Sequence, residues 1–218
     1  MSDEPSPEHL ERFKSHSAFL EPLMKGYPIM DAISNIEFCL DSAIKYPVAA
    51  NDHIEPFIEN KVPNLWTYYC CVQSTLVSNR FFSQPSYRNR IIGTQLYKFG
   101  IKGFLHWGYN FYNDRFSYKK INPFVCSDGE GFSPSGDCFS VYPGENGKPL
   151  PSLRQVVFNE ALQDLKALKL YERYFGKEET LKLLEEGIEP ITFKNYPKNA
   201  DYILNLRKKL NKKIKEAI

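Results

Sequence analysis

The feature that most constrains this chain is the regular alternation, through residue 110, of helix-patterned segments with short apolar runs. Ser6-Pro7-Glu8 reads as an N-cap, a proline at the first helical position and an acid in the first turn. Leu10, Phe13, Leu20 and Met24 follow at helical spacing, and Pro22 is expected to kink or end that helix early. After Gly26 an apolar run covers residues 27–33, and Ser34-Asn35 begins a second helical pattern reaching about Lys45. A run over 47–50 precedes a brief helix over 54–60. Residues 64–72 form an aromatic and β-branched run, and a helix over 86–99 is closed by Gly100. The last run covers 101–109. Helix and strand thus alternate four times, and most strands are apolar without alternation, as when both faces are buried. The fold class predicted is α/β, a parallel sheet wrapped by helices.

Residues 110–151 break this pattern. Gly129, Gly131, Gly136, Gly144 and Gly147, with several prolines, predict a long functional loop. A hairpin is expected near 138–142, turning at Pro143-Gly144 and Asn146-Gly147. Helices follow over 153–175, 178–186 and 199–217. With no repeat or low-complexity tract, 1–218 reads as a single domain: βα units over 1–110, the loop over 111–151 and C-terminal helices over 152–218.

Composition removes several function classes. A net charge of +2 is too small to imply a nucleic-acid partner. The basic cluster over 207–215 is interleaved with Leu210 and Ile214, as on the solvated face of a terminal helix. Five cysteines, odd in number and with Cys70-Cys71 adjacent, show no C-x-x-C spacing and indicate neither a disulfide framework nor a zinc site. No signal peptide and no apolar run of membrane-spanning length is present, so the chain as given reads as cytoplasmic and without a membrane partner, although a longer parent protein could be exported. The aromatic content of 15% suits a carbohydrate-facing cleft and equally a Phe/Tyr-rich core.

If the sheet belongs to a (β/α) barrel, functional side chains gather at strand C-termini and in the loops after them. Asp31 closes the first run, and Asp52 and His53 the second. Trp66, Tyr68 and Tyr69 lie along the third, with Gln73, Asn79 and Arg80 in its loop. His106, Trp107, Tyr109 and Asn110 close the fourth, with Asp114 just beyond. Each has an ordinary structural role: Asp31 and Asp52 as helix caps, the histidines as satisfied structural groups, Arg80 as a carboxylate's partner. Tyr68 and Tyr69 point to opposite faces, so at most one faces a cavity. What they share is recurrence at successive strand ends, supplying hydroxyl partners and stacking platforms that suit a sugar. Asp3-Glu4-Pro5 stands where a strand end belongs, just before a capped helix, and reads as a catalytic pair or as acids at a helix N-terminus.

Several segments, in order, resemble glycoside hydrolase family 123: Ser2-Asp3-Glu4-Pro5-Ser6, Met30-Asp31-Ala32-Ile33-Ser34 and Asn51-Asp52-His53-Ile54-Glu55-Pro56. Trp66-Thr67-Tyr68-Tyr69-Cys70-Cys71, Ser78-Asn79-Arg80-Phe81 and the longer Lys102-Gly103-Phe104-Leu105-His106-Trp107-Gly108-Tyr109-Asn110 continue the resemblance. Val141-Tyr142-Pro143-Gly144 and Ala161-Leu162-Gln163-Asp164 are similar to the region known as domain of unknown function 4091. The resemblance implies a retaining β-N-acetylgalactosaminidase working by substrate assistance. Glu4 would be the general acid/base, its pKa raised partly by repulsion from Asp3. Asp3 would orient the substrate's 2-acetamido group and stabilise an oxazolinium intermediate. Tyr68, Tyr69 and Trp107 would line the acetamido pocket, and Asp31, Asp52, Asn79, Arg80 and Asn110 would contact hydroxyls; no metal or organic cofactor is implied. The partner expected is a glycan containing N-acetylhexosamine.

In that family a β-rich region and the first half of the barrel precede the Asp-Glu pair. The fold implied here is therefore the C-terminal half of a (β/α)8 TIM-type barrel with additional C-terminal helices. Such a piece leaves an open sheet edge, so the chain is expected to be a fragment, to meet a missing N-terminal half, or to self-associate. Two further readings stand beside catalysis: a carbohydrate-binding remnant without chemistry, and a subunit of a split barrel.

Overall fold

The signal at Ser6-Pro7 starts a short 3-10 turn, Pro7–His9, that runs into helix α1, Leu10–Leu23. Phe13 and Ser17, one turn apart, form the buried stripe of α1. The Phe13 ring meets Phe38 edge-on at 5.0 Å, and the Ser17 hydroxyl accepts the Ala43 N–H at 2.7 Å. Pro22 ends nothing early: it falls in the last turn of α1. This computed structural model describes residues 5–40 and 42–218. It shows two compact units, one made of Met1–Tyr69 and Phe99–Leu105, the other of Cys70–Lys98 and His106–Ile218.

The first unit is a parallel four-stranded sheet in the order β1-β2-β3-β4: Ile29–Ala32, Ile44–Ala50, Trp66–Tyr68 and Gly103–Leu105. The mixed α/β class with a parallel sheet is as the sequence predicts, but the segment after β1 is not. Of the helix expected to reach Lys45, the described residues form only a 3-10 turn, Ile36–Phe38, whose Glu37 N–H donates to the Asn35 side-chain oxygen at 2.9 Å. Strand β2 begins at Ile44, and Pro47 is accommodated because β2 pairs with β3 only from Val48 onward. At Pro47 the strand has a neighbour on one side only, so the missing N–H breaks no second ladder. The short helix α2, Glu55–Glu59, follows β2 as expected.

Register explains one glycine. Trp66 on β3 stands opposite Gly103 on β4, and a Cβ on Gly103 would lie 2.2 Å from the indole ring. The Trp66 ring therefore lies across the β4 backbone, where only glycine fits.

The second unit is mainly helical. The predicted helix over 86–99 is present as α3, Tyr87–Arg90, and α4, Ile92–Lys98, and Gly100 beyond it has the left-handed φ of 65° that a helix stop requires. A hairpin, β5 at Val141–Pro143 and β6 at Pro149–Pro151, closes the glycine-rich loop. Helix α5, Leu153–Leu184, starts at the capping Ser152 hydroxyl and is interrupted by Gly176 with φ 82° and ψ 164°. The gap expected between 175 and 178 is this residue. Helix α6, Ala200–Ala217, is capped by Asn199 and buries Ile203, Leu206, Leu210 and Ile214 along one stripe.

These helices share a core with Tyr97, Leu168, Tyr171 and Leu184. Gly93 lets α4 touch α5: a Cβ there would sit 2.0 Å from the Ala161 carbonyl oxygen. Asp164, 3% exposed, ties three helices together. It accepts from Arg90 Nε at 2.6 Å and from Arg207 Nη1 at 2.8 Å. No helix among the described residues is long and apolar enough to cross a membrane.

Candidate functional site

Asp3 and Glu4 lie outside the described residues. In the first unit, Asp31 sits half-buried on β1 opposite Pro47. Asp52 and His53 occupy the turn after β2, where Asp52 Oδ1 and His53 Nδ1 are 2.8 Å apart. The Tyr68 hydroxyl lies 3.4 Å from the Ser34 hydroxyl. Tyr69 is fully enclosed, its ring edge-on to Phe104 at 4.8 Å, so it packs the core of this unit. Trp66 covers Gly103.

In the second unit the chain directly after β4 and the glycine-rich loop build one buried polar cluster. Asn79, fully buried, donates to the Cys70 and Gln73 carbonyls and accepts the Arg80 N–H, which shapes the loop over 70–80. This is a scaffolding arrangement, where the resemblance implies a hydroxyl contact. Arg80, 5% exposed, places Nη2 at 2.8 Å from His106 Nδ1 and 2.6 Å from the Gly108 carbonyl. The centre is Asp137, with no exposed surface. Its Oδ1 lies 3.1 Å from His106 Nε2, and its Oδ2 accepts the Trp107 indole N–H at 2.8 Å and the Cys71 thiol at 3.1 Å.

Backbone geometry puts Asp137 there. Gly136 N–H bonds the Ser127 carbonyl at 2.8 Å and Phe82 N–H bonds the Ser135 carbonyl at 2.9 Å, fixing the loop on both sides. Gly108 lies under it, since a Cβ at Gly108 would stand 2.7 Å from the Asp137 and Cys138 carbonyl oxygens. The glycine between Trp107 and Tyr109 is thus a point of close backbone approach.

The protonation states follow from donor counting. His106 Nδ1 takes the Gly108 N–H at 3.0 Å as well as the Arg80 guanidinium, so it is an acceptor. The ring proton therefore resides on Nε2 and is donated to Asp137. Burial, opposed by the Asp137 hydrogen bond and assisted by the Arg80 charge, holds the His106 pKa down to about 4. The imidazole is neutral at physiological pH. Burial pushes the Asp137 carboxyl up, but the donors from His106, Cys71 and Trp107 outweigh it and leave its pKa below the ordinary value. Cys71 is driven strongly upward by its hydrogen bond with Cys70, by burial and by Asp137, which makes it an inert thiol. None of the five cysteines, all among the described residues, forms a disulfide.

The part of this cluster that meets solvent is aromatic. Trp107 is 37% exposed while its N–H edge is tied to Asp137. Phe111 and Phe132 press edge-on against it at 5.2 and 5.5 Å. Tyr109 and Asn110 follow, both exposed, and Asn110 forms a backbone bridge to Phe139. The arrangement offers a fixed indole face and neighbouring polar groups. Among the described residues no group of three His, Cys, Asp or Glu side chains is placed to hold a metal ion.

Sequence reasoning singled out Arg80, Trp107, Tyr109 and Asn110, read His106 as a structural histidine, and did not name Asp137. An Asp after Gly136 in a loop reads as a turn residue. Its partners stand 31 and 66 positions away, beyond any local pattern.

The sequence comparison gives the class of protein in which this buried polar cluster and its exposed aromatic occur. The model described as "Glycoside hydrolase 123, catalytic domain" matches residues 1–171. The chain belongs to glycoside hydrolase family 123. A family 123 glycoside hydrolase from Clostridium perfringens, solved for the details of glycolipid glycan hydrolysis, shares the fold with a TM-score of 0.64 at 16% identity. The match covers 99% of this chain and 40% of that one, so the chain spans well under half the length of that relative. No curated protein matches it in sequence.

Proposed function

We propose that this chain is the part of a retaining β-N-acetylgalactosaminidase that carries its acid pair, with the sheet forming the C-terminal half of a (β/α)8 barrel. Glu4 protonates the glycosidic oxygen and then activates water. Asp3 holds the substrate's acetamido N–H so that its carbonyl oxygen attacks the anomeric carbon, giving an oxazolinium in place of an enzyme-linked sugar. Trp107 is the stacking platform for the sugar ring, with Asn110 three positions on in sequence for hydroxyl contacts. The observation that carries this reading is the anchored, part-exposed indole of Trp107 in a chain of this family. The parallel four-stranded sheet and the family match over residues 1–171 support the barrel assignment.

The test is hydrolysis of 4-nitrophenyl β-N-acetylgalactosaminide beside its gluco epimer. Turnover of the galacto substrate, abolished by Glu4→Gln and inhibited by a thiazoline analogue, is the expected outcome. No turnover by wild type sinks the enzymatic reading. A second reading, a sugar-binding piece that needs further chain for catalysis, is favoured by the 40% coverage of the Clostridium relative. It predicts thiazoline binding without hydrolysis.

A further inference from the structure

We propose that Asp137 is the positioning residue of the sugar platform, fixing the Trp107 indole through its N–H while His106 and Arg80 lock the carboxylate in place. The proposal rests on the reading of this chain as an amino-sugar glycosidase.

Five contacts define the device. Asp137 Oδ2 takes the indole N–H at 2.8 Å and Oδ1 faces His106 Nε2 at 3.1 Å. His106 cannot turn its proton the other way, because Nδ1 is occupied by the Gly108 N–H and by Arg80. Every group on the carboxylate, Cys71 included, is therefore a donor. An indole nitrogen has one proton and no lone pair to offer, so only an acceptor serves it. A carboxylate also gives a charge-assisted bond stronger than an amide oxygen would.

The consequence for binding is preorganisation. A part-exposed Trp side chain has two free dihedral angles, and a sugar that stacks on it must first fix both. Here the N–H edge is tied from below and Phe111 and Phe132 bracket the ring. The face presented to solvent is set before ligand arrives.

Asp137→Asn isolates this role because it keeps size and shape. Its amide has one acceptor oxygen. With the NH2 turned to His106, two N–H groups oppose each other and the tautomer cannot relieve them. With the NH2 turned to Trp107, the indole loses its acceptor. KM for the aryl β-N-acetylgalactosaminide, or the Kd for a thiazoline analogue, is expected to rise roughly tenfold, with kcat changed less than threefold. In a Trp107→Phe background, which lacks the N–H, Asp137→Asn is expected to add nothing to that rise. A purely structural Asp137 would weaken binding by the same factor in both backgrounds, and that result overturns the proposal.

A ligand-free measurement covers the case in which Asp137→Asn does not fold. In an NMR spectrum of the wild-type chain, the indole signal that Trp107→Phe removes is expected downfield and protected from solvent exchange. Exchange as fast as that of a free indole overturns the anchoring. Failure of the wild type to bind any amino sugar overturns the functional reading and the sugar role with it, and is distinguished from failed anchoring because the indole signal stays protected.

Discussion

Trp107 donates its indole N–H to Asp137 at 2.8 Å although the two residues stand 30 positions apart. Neither has regular secondary structure to hold it. The pair is made by backbone contacts, Gly108 beneath the Asp137 and Cys138 carbonyls and the loop bonds on either side of Gly136. Removing the ring while keeping the carboxylate should separate recognition from folding. Trp107→Ala leaves Asp137 its His106 and Cys71 donors, so the chain should remain folded by circular dichroism. Amino-sugar affinity should fall roughly tenfold or more, about 1.4 kcal/mol, read by calorimetric titration.

The His106 environment sets a direction for pH. Its folded pKa of about 4 lies below the ordinary 6.5, so between these values the unfolded chain binds more protons than the folded one. The His106 contribution is fully present above pH 6.5 and is lost as the pH falls toward 4. Its size over that window is about 3 kcal/mol. Urea unfolding of wild type and His106→Gln should show the wild-type stability declining between pH 7 and 5, with a shallower decline in the variant. Parallel slopes would rule the histidine out as the source.

Asp164 holds Arg90 and Arg207 together from a position 3% exposed. Asp164→Ala leaves two guanidinium groups facing each other with their shared acceptor gone. A loss of about 3 kcal/mol is expected in chemical unfolding. Arg207→Ala, which leaves Arg90 still paired, should cost clearly less.

At Gly93 the constraint is steric. A methyl group would lie 2.0 Å from the Ala161 carbonyl oxygen, backbone that cannot step aside without moving α5. Gly93→Ala should lower stability by about 2–3 kcal/mol despite alanine's better helix propensity. Gly100→Ala meets no atom within 4 Å but suffers from its φ of 65°, and should cost about 1 kcal/mol.

Much of the helical framework was legible because its signals are local. The Ser6-Pro7-Glu8 start, Gly100 at a helix end and the break expected between 175 and 178 all operate within one or two turns. The parallel sheet was legible from unalternated apolar runs, but strand ends were not. Apolarity continues through Tyr69, Cys70, Cys71 and Val72 while pairing stops at Tyr68. The helix expected to reach Lys45 was misread because Ile36 and Leu40 stand four residues apart, as on a helix face, while the described residues there form only a 3-10 turn. In the candidate site, aromatic and amide residues after β4 stood out by type. Asp137 did not, since its meaning comes from partners that only tertiary structure supplies.

The division of the chain between its two units has a consequence for the order of synthesis. The backbone leaves the first unit after Tyr69, returns at Phe99 for one strand, and departs again after Leu105. A ribosome delivering this chain therefore completes β3 and then makes 29 residues of the other unit, Cys70–Lys98, before the strand that pairs with β3 emerges. Throughout that interval β3 presents an unpaired edge to the cell, and no single truncation point yields either unit intact.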